Sequence, residues 1–147
     1  MERHQAHRRV SFSAPQMFDL VLDVERYPEF VPGYRAAKVL RREANFLEAE
    51  QVVTLAGMQG RIVSSATYER PRCIEIQSQD EPFSRLRIEW DFQGIDRGSC
   101  EAHLSVFFDL EFSWIESLVD GAVQPFLSRV LATFDQRAES VYGDGRG

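Results

Sequence analysis

Residues 113–142, SWIESLVDGAVQPFLSRVLATFDQRAESVY, decide the fold. Apolar residues recur there at Ile115, Leu118, Val119, Ala122, Val123, Phe126, Leu127, Val130, Leu131, Phe134, Ala138 and Val141. Steps of three and four place them on one wide face of a helix. Ser113-Trp114-Ile115-Glu116 reads as a capping box at its start. Pro125 lies inside the pattern, and its ring would crowd the carbonyl of Gly121. A break is therefore expected between residues 121 and 125, with a short first piece and a longer second piece from about 123 to 142.

Before this helix the apolar period is two. Leu47, Ala49, Val53 and Leu55 alternate with Glu48, Glu50 and Thr54; Leu86, Ile88, Trp90 and Phe92 alternate with Arg85, Arg87, Glu89, Asp91 and Gln93. Ala102, Leu104, Val106, Phe108, Leu110 and Phe112 repeat the pattern, with Phe107 as the one exception. One apolar and one wet face mark an antiparallel sheet covered on a single side. Breaks at 43–45, 57–60, 70–72, 80–83 and 96–98 are of hairpin length, so consecutive strands should be neighbours. One long helix laid on such a sheet leaves a gap in which small apolar molecules can lodge.

A first strand is expected over about 4–12. Ser13-Ala14-Pro15-Gln16 then opens a helix, with Ser13 and Gln16 as a capping box and Pro15 where a missing N–H does no harm. Met17, Leu20, Val21 and Val24 give it an apolar stripe over about eleven residues. Pro28 and Pro32 preclude a long continuation, so one short helical turn carrying two aromatics should follow.

Composition narrows the function classes. The chain has 147 residues, a formal net charge of -6 and 44% hydrophobic residues, the profile of an ordinary globular domain. That charge argues against a dominant nucleic-acid surface. Arg3, His4, His7, Arg8 and Arg9 bias the amino terminus positively, which reads first as a solvated strand and second as a contact for anionic lipid or ribosomal RNA. Cys73 and Cys100 are far apart, without a metal-ligand spacing, and are expected to be free thiols with no metal bound. No apolar run has the ~18 residues of a membrane span and the polar start is unlike a signal peptide, so a cytoplasmic chain is expected.

The order strand, helix, short helix, six-strand meander, long helix resembles the helix-grip arrangement of the START-like superfamily. Met17-Phe18-Asp19-Leu20-Val21 and Asp23-Val24-Glu25-Arg26-Tyr27-Pro28-Glu29-Phe30-Val31-Pro32 resemble the opening of its coenzyme Q-binding family. Tyr68-Glu69-Arg70-Pro71 with Ile74 and Ile76 is similar to that family's mid-sheet hairpin, and Pro82-Phe83 followed by Leu86, Trp90 and Phe92 to its next strand. Val106, Phe108, Phe112 and the helix beyond are similar to its close. Gly33 and Tyr34 depart from the aromatic and cysteine of many members, and Glu81 from the usual glycine. The resemblance implies an α+β, helix-grip (START-like) fold: a curved antiparallel sheet of about seven strands wrapped around a long C-terminal helix, with two short helices after the first strand. One domain would cover residues 1–142, with 143–147 as a disordered tail.

The resemblance also implies binding of a polyprenyl quinone, most of all ubiquinone (coenzyme Q), in support of respiration. Bacterial members are described as ribosome-association toxins that block subunit joining, and many carry a polyketide cyclase label. For a quinone, Leu86, Ile88, Trp90 and Phe92 would form tunnel walls facing Val123, Phe126, Val130 and Phe134. Tyr27, Phe30, Val31 and Tyr34 would form a mouth, and Tyr27, Phe30 and Val31 an apolar tip for peripheral contact with the inner membrane. For any one of these residues, plain core packing is the ordinary alternative. An enzyme needs an acid, base or nucleophile in the pocket, and none is evident: the histidines sit peripherally, and Ser64, Ser65 and Arg61 have no partner at a motif spacing. A non-catalytic carrier without a cofactor is the reading preferred, with ubiquinone as bound ligand. A ribosome-facing protein is the first alternative, through Arg35, Lys38, Arg41 and Arg42 with the amino-terminal arginines, and a polyketide cyclase/aromatase-like enzyme the second.

Overall fold

The computed structural model describes residues 2–55, 57–80, 83–111 and 121–143. The chain runs β1 (Glu2–Val10), α1 (Ala14–Leu22), a 3-10 helix (Val24–Glu29), β2 (Tyr34–Glu43), β3 (Phe46–Leu55), β4 (Met58–Glu69), β5 (Cys73–Ser78), β6 (Phe83–Asp96), β7 (Ser99–Leu110) and α2 (Val123–Ala138). All seven strands form one antiparallel sheet in the order β1-β7-β6-β5-β4-β3-β2. Every hairpin pairs neighbours, and only β1 crosses to the far edge, beside β7. The break expected at 57–60 is tighter than the sequence suggests, since Met58 already pairs with Leu55 and Gly60 with Val53.

Local chemistry places the elements that cover the sheet. The Ser13 hydroxyl accepts from the Gln16 amide at 3.3 Å and the Gln16 side chain accepts from the Ser13 amide at 2.9 Å, closing the capping box on α1. The 3-10 helix is tied down at three points. Tyr27 donates its hydroxyl to the Val21 carbonyl, Glu25 accepts the Val39 amide of β2 at 2.9 Å, and Glu29 accepts from Arg137 of α2 at 3.0 Å. Gly33 then turns the chain into β2 with φ +87°; a Cβ there would meet the Thr54 carbonyl oxygen at 3.0 Å, so the glycine meets a backbone need.

The break before the last helix lies where Pro125 requires it. Gly121 adopts φ +81°, α2 starts at Val123, and Pro125 falls in the first turn, where its missing N–H has no helical acceptor. The capping box at Ser113 and the first helical piece fall on residues 113–120, outside those described. The helix ends at Ala138, and residues Glu139–Gly143 add one wider π turn. Tyr142 in that turn donates to the Gln16 carbonyl at 3.1 Å and fixes the end of the chain against α1.

The core follows the inward phase of each strand, with Leu47, Ala49, Ala66, Ile74, Trp90, Phe92, Cys100, Ala102 and Leu104 buried against Phe18, Val21, Leu127, Leu131 and Phe134. Phe107, the residue out of phase, lies on the outer face between the guanidinium groups of Arg3 at 5.7 Å and Arg87 at 4.2 Å. Among the described residues no helix is long and apolar enough to cross a membrane. Replacing Ser13 with Ala removes one capping bond, and should lower the unfolding free energy in urea by about 1 kcal/mol. An unchanged midpoint and slope would show that the box contributes nothing.

Candidate functional site

A cavity opens between the concave side of β2–β6 and the pair α1 and 3-10 helix. Its walls come from Val21, Leu22, Val24 and Tyr27 on the helices, and from Tyr34, Leu47, Ala49, Gln51, Val53, Ile62, Ser64, Ala66, Ile74, Ile76, Leu86 and Ile88 on the strands. Ala49 and Ala66 leave room where larger residues would fill the space. Burial grades along it. Leu47, Ala49, Ala66 and Ile74 close one end, while Val53, Ile62, Ile76 and Leu86 at the other are only half-buried, which makes that end the mouth. The open interior space is about 80 Å³, enough for about two to three waters at the roughly 30 Å³ each takes in the liquid, or for a small ring.

The wall is apolar except for four side chains. Gln51 and Ser64 are buried at 7% and 9% exposure and bond to each other, Gln51 Nε2 to Ser64 Oγ at 2.9 Å and Ser64 Oγ to Gln51 Oε1 at 3.2 Å. Tyr27 and Tyr34 pack edge to face, 5.2 Å between centroids. Burial pushes the Tyr27 hydroxyl well above its ordinary pKa, with Tyr34 beside it adding to the effect. Burial alone raises Tyr34 to about 12. Among the described residues no charged side chain lines the cavity.

The residues expected to bind ligand separate into two groups. Tyr27, Tyr34, Leu86 and Ile88 line the cavity. Trp90 and Phe92 are buried beyond its closed end, stacked 5.8 Å apart. Phe134 packs on Trp90 and Tyr27, and Val31 is buried in the same core. Val123 and Val130 are half-buried on α2, and Phe126 points outward at 42% exposure. The hollow is therefore not walled by the described part of α2, which packs on β1, β7 and α1. The apolar tip expected at the mouth is absent too. Tyr27 and Val31 are each 7% exposed, and Phe30 packs against Tyr27 and Phe134 beneath the Arg137 guanidinium at 4.8 Å. Ring packing draws these residues into the core, and hydrogen bonds from Arg26 and Arg137 hold the Glu29 carboxyl nearby below its usual range.

The histidines and cysteines do not line the cavity. The three histidines lie on β1 and β7, with His7 and His103 stacked at 5.5 Å and His103 beside Glu101. Both cysteines are free, and burial pushes the Cys100 thiol up to about 11. Among the described residues no group of three or more His, Cys, Asp and Glu could hold a metal ion. A broader groove on the outer face of β4–β6 carries Glu69, Glu75, Glu89 and Asp91 with Arg72, an acidic surface that repels anions.

A one-sided sheet with an uncharged hollow under short helices defines a helix-grip shell. The chain belongs to the polyketide cyclase/dehydrase and lipid transport family, whose model matches residues 10–137. It is 35% identical over 135 residues to the ribosome association toxin RatA of Vibrio cholerae, covering 92% of this chain and 94% of that one. It is 26% identical over 140 residues to the mitochondrial coenzyme Q-binding protein COQ10 of Dictyostelium discoideum, covering 92% of this chain and 68% of that one. Among solved structures, the Zhui aromatase/cyclase of Streptomyces sp. R1128 superposes with a TM-score of 0.86 at 14% identity, over 94% of this chain and 93% of that one. At that identity the likeness is one of fold. The resemblance drawn from the sequence motifs thus holds at the level of fold and family.

The tyrosine pair sets an alkaline limit. A hydroxyl that ionises at about 12 when folded and near 10 when unfolded keeps its full contribution below pH 10 and loses it as pH rises towards 12. The urea midpoint should fall across that window, and Tyr34→Phe should make the fall shallower. An identical slope in wild type and variant would mean that Tyr34 is not shielded.

Proposed function

We propose that the protein is a non-catalytic holder of a lipophilic molecule, ubiquinone first among candidates, and acts as a carrier supporting respiratory electron transport at the inner membrane. The observation that carries this reading is the cavity itself. Its described lining is apolar and uncharged, with four hydroxyl or amide side chains as the polar groups among the described residues, and it is less buried at one end. Such a wall can hold an uncharged ring through dispersion and a few hydrogen bonds. Among the described residues its titratable wall groups are two tyrosines, both raised by burial and protonated at neutral pH, which supports holding a ligand over acid–base chemistry. The family description, which includes lipid transport, and the name of the coenzyme Q-binding Dictyostelium relative support the same ligand class. The open space takes a head group as it stands. A polyprenyl tail must run out through the mouth, past Val53, Ile62 and Leu86, whose partial exposure leaves them room to move.

The protein purified from a quinone-producing bacterial host should yield ubiquinone in near-stoichiometric amount on organic extraction and mass spectrometry. A folded, lipid-free protein that refuses added quinone would end this reading.

A ribosome-facing role is the second reading, favoured by the name of the 35% identical Vibrio relative. The free edge strand β2 presents Arg35, Lys38, Arg41 and Arg42, all exposed. Against it, Arg41 already lies over Phe46 at 4.8 Å and 3.8 Å from Glu43, an ordinary device for protecting a sheet edge. If this reading holds, the protein co-sediments with ribosomal subunits at low salt, and Arg41→Glu with Arg42→Glu abolishes it. Absence of co-sedimentation at low salt removes the reading.

A further inference from the structure

Two polar residues interrupt apolar phases of adjacent strands at the same depth. Along the inward side of β3 the order is Leu47, Ala49, Gln51, Val53, and along β4 it is Ala66, Ser64, Ile62. Gln51 stands opposite Ile62 and Ser64 opposite Ala49, so the pair meets diagonally, midway between the closed end and the mouth. A buried amide and hydroxyl in an apolar wall carry a desolvation cost that an apolar pair would not. Their mutual bonds offset part of it, and the count of donors shows what remains.

A glutamine amide has two N–H groups, and a serine hydroxyl has one donor and two acceptor sites. Ser64 Oγ accepts one Gln51 N–H at 2.9 Å and donates its own proton to Oε1 at 3.2 Å. One Gln51 N–H is left without an acceptor among the described residues. The opposite orientation of the amide leaves the same count, because the hydroxyl can exchange its two roles. Tyr34, on β2 opposite Val53, adds a second unspent donor: its hydroxyl makes no hydrogen bond among the described residues, whereas Tyr27 spends its own on Val21. Among the described residues the cavity thus offers two donors and no cation.

We propose that Gln51, its amide fixed by Ser64, and the Tyr34 hydroxyl select an uncharged head group bearing carbonyl oxygens, at the expense of plain hydrocarbons and of fatty acids. This rests on the cavity being the ligand site. A hydrocarbon offers neither donor an acceptor. A carboxylate would give up its hydration with no positive side chain among the described wall residues to replace it. A neutral carbonyl oxygen accepts from each donor without that loss. Ser64 is a positioning residue here, since it sets which N–H faces the ligand.

Three probes separate the alternatives: a benzoquinone with a two-unit isoprenoid tail, the hydrocarbon of the same tail, and a fatty acid of similar length. Titrations of the wild type should place the quinone roughly tenfold or more tighter than the other two, about the worth of one net hydrogen bond. Gln51→Leu combined with Ser64→Ala removes both partners and leaves no orphan, so the variant should stay folded by circular dichroism. It should bind the quinone about tenfold more weakly and the hydrocarbon at least as well as before. Tyr34→Phe should cost the quinone a few-fold and the hydrocarbon nothing, and it serves as the test should the double variant unfold. Quinone binding unchanged in these variants would overturn the selection while leaving the carrier reading intact. A wild type that binds hydrocarbon and quinone equally would overturn it as well, and a wild type that binds none of the probes would overturn the carrier reading itself.

Discussion

The ring of Phe134 holds the architecture together. It is 2% exposed and meets Tyr27 at 5.5 Å, Phe30 at 5.2 Å and Trp90 at 5.2 Å, each edge to face. Three separate elements, α2, the 3-10 helix with its cap and the middle of the sheet, are thereby referred to one point. Each such pair adds roughly 0.5–1.5 kcal/mol beyond its burial. Trp90 passes the contact to Phe92, and Phe92 to Phe18 on α1. Arg70 then covers Phe18 and pairs with Asp19. The aromatic chain runs from α2 through β6 to α1, where Phe18 also meets Tyr68 of β4.

What lies on its other side is the cavity. Beyond Trp90 and Tyr27 the inward residues of β3 and β4 shrink to Ala49, Ser64 and Ala66, and nothing from the described helices reaches down to them. The 3-10 helix is suspended above this hollow by its bonds to β2 and α2, without a side chain that fills it. The same aromatic cluster that anchors the helices therefore leaves the hollow unfilled. A binding space bounded by a rigid junction on one side and half-buried aliphatic residues on the other can open at the mouth without unpacking the core.

Much of this was legible in the sequence because burial writes itself in periods. The alternation in β6 and β7, the capping box at Ser13 and the break between Gly121 and Pro125 each have a local cause, and each is present. Phe107 broke its strand's pattern because two arginines from neighbouring strands cover it, a non-local reason that periodicity cannot carry. The location of the hollow was not legible. The apolar stripe on the last helix says which face is buried but not against what, so Val123, Val130 and Phe134 read equally well as tunnel wall or as core. The family resemblance implies an apolar tip at Tyr27, Phe30 and Val31, yet Tyr27 and Val31 are buried, with Tyr27 ringed by Phe30, Tyr34 and Phe134. Gln51 was hidden in plain view. It is the one polar residue in an otherwise apolar phase, Leu47, Ala49, Val53, and only its contact with Ser64 across the hairpin gives that interruption a meaning.

The central claim is that ligand enters the hollow under the 3-10 helix and not the seam beneath α2. Methyl-resolved NMR of the protein titrated with a short-tailed benzoquinone tests this most directly. The account predicts saturable shifts at Ile62, Ile76, Leu86 and Ile88, with Leu127 and Leu131 unmoved. Shifts confined to Leu127, Val130 and Leu131, with the four wall methyls silent, would contradict it.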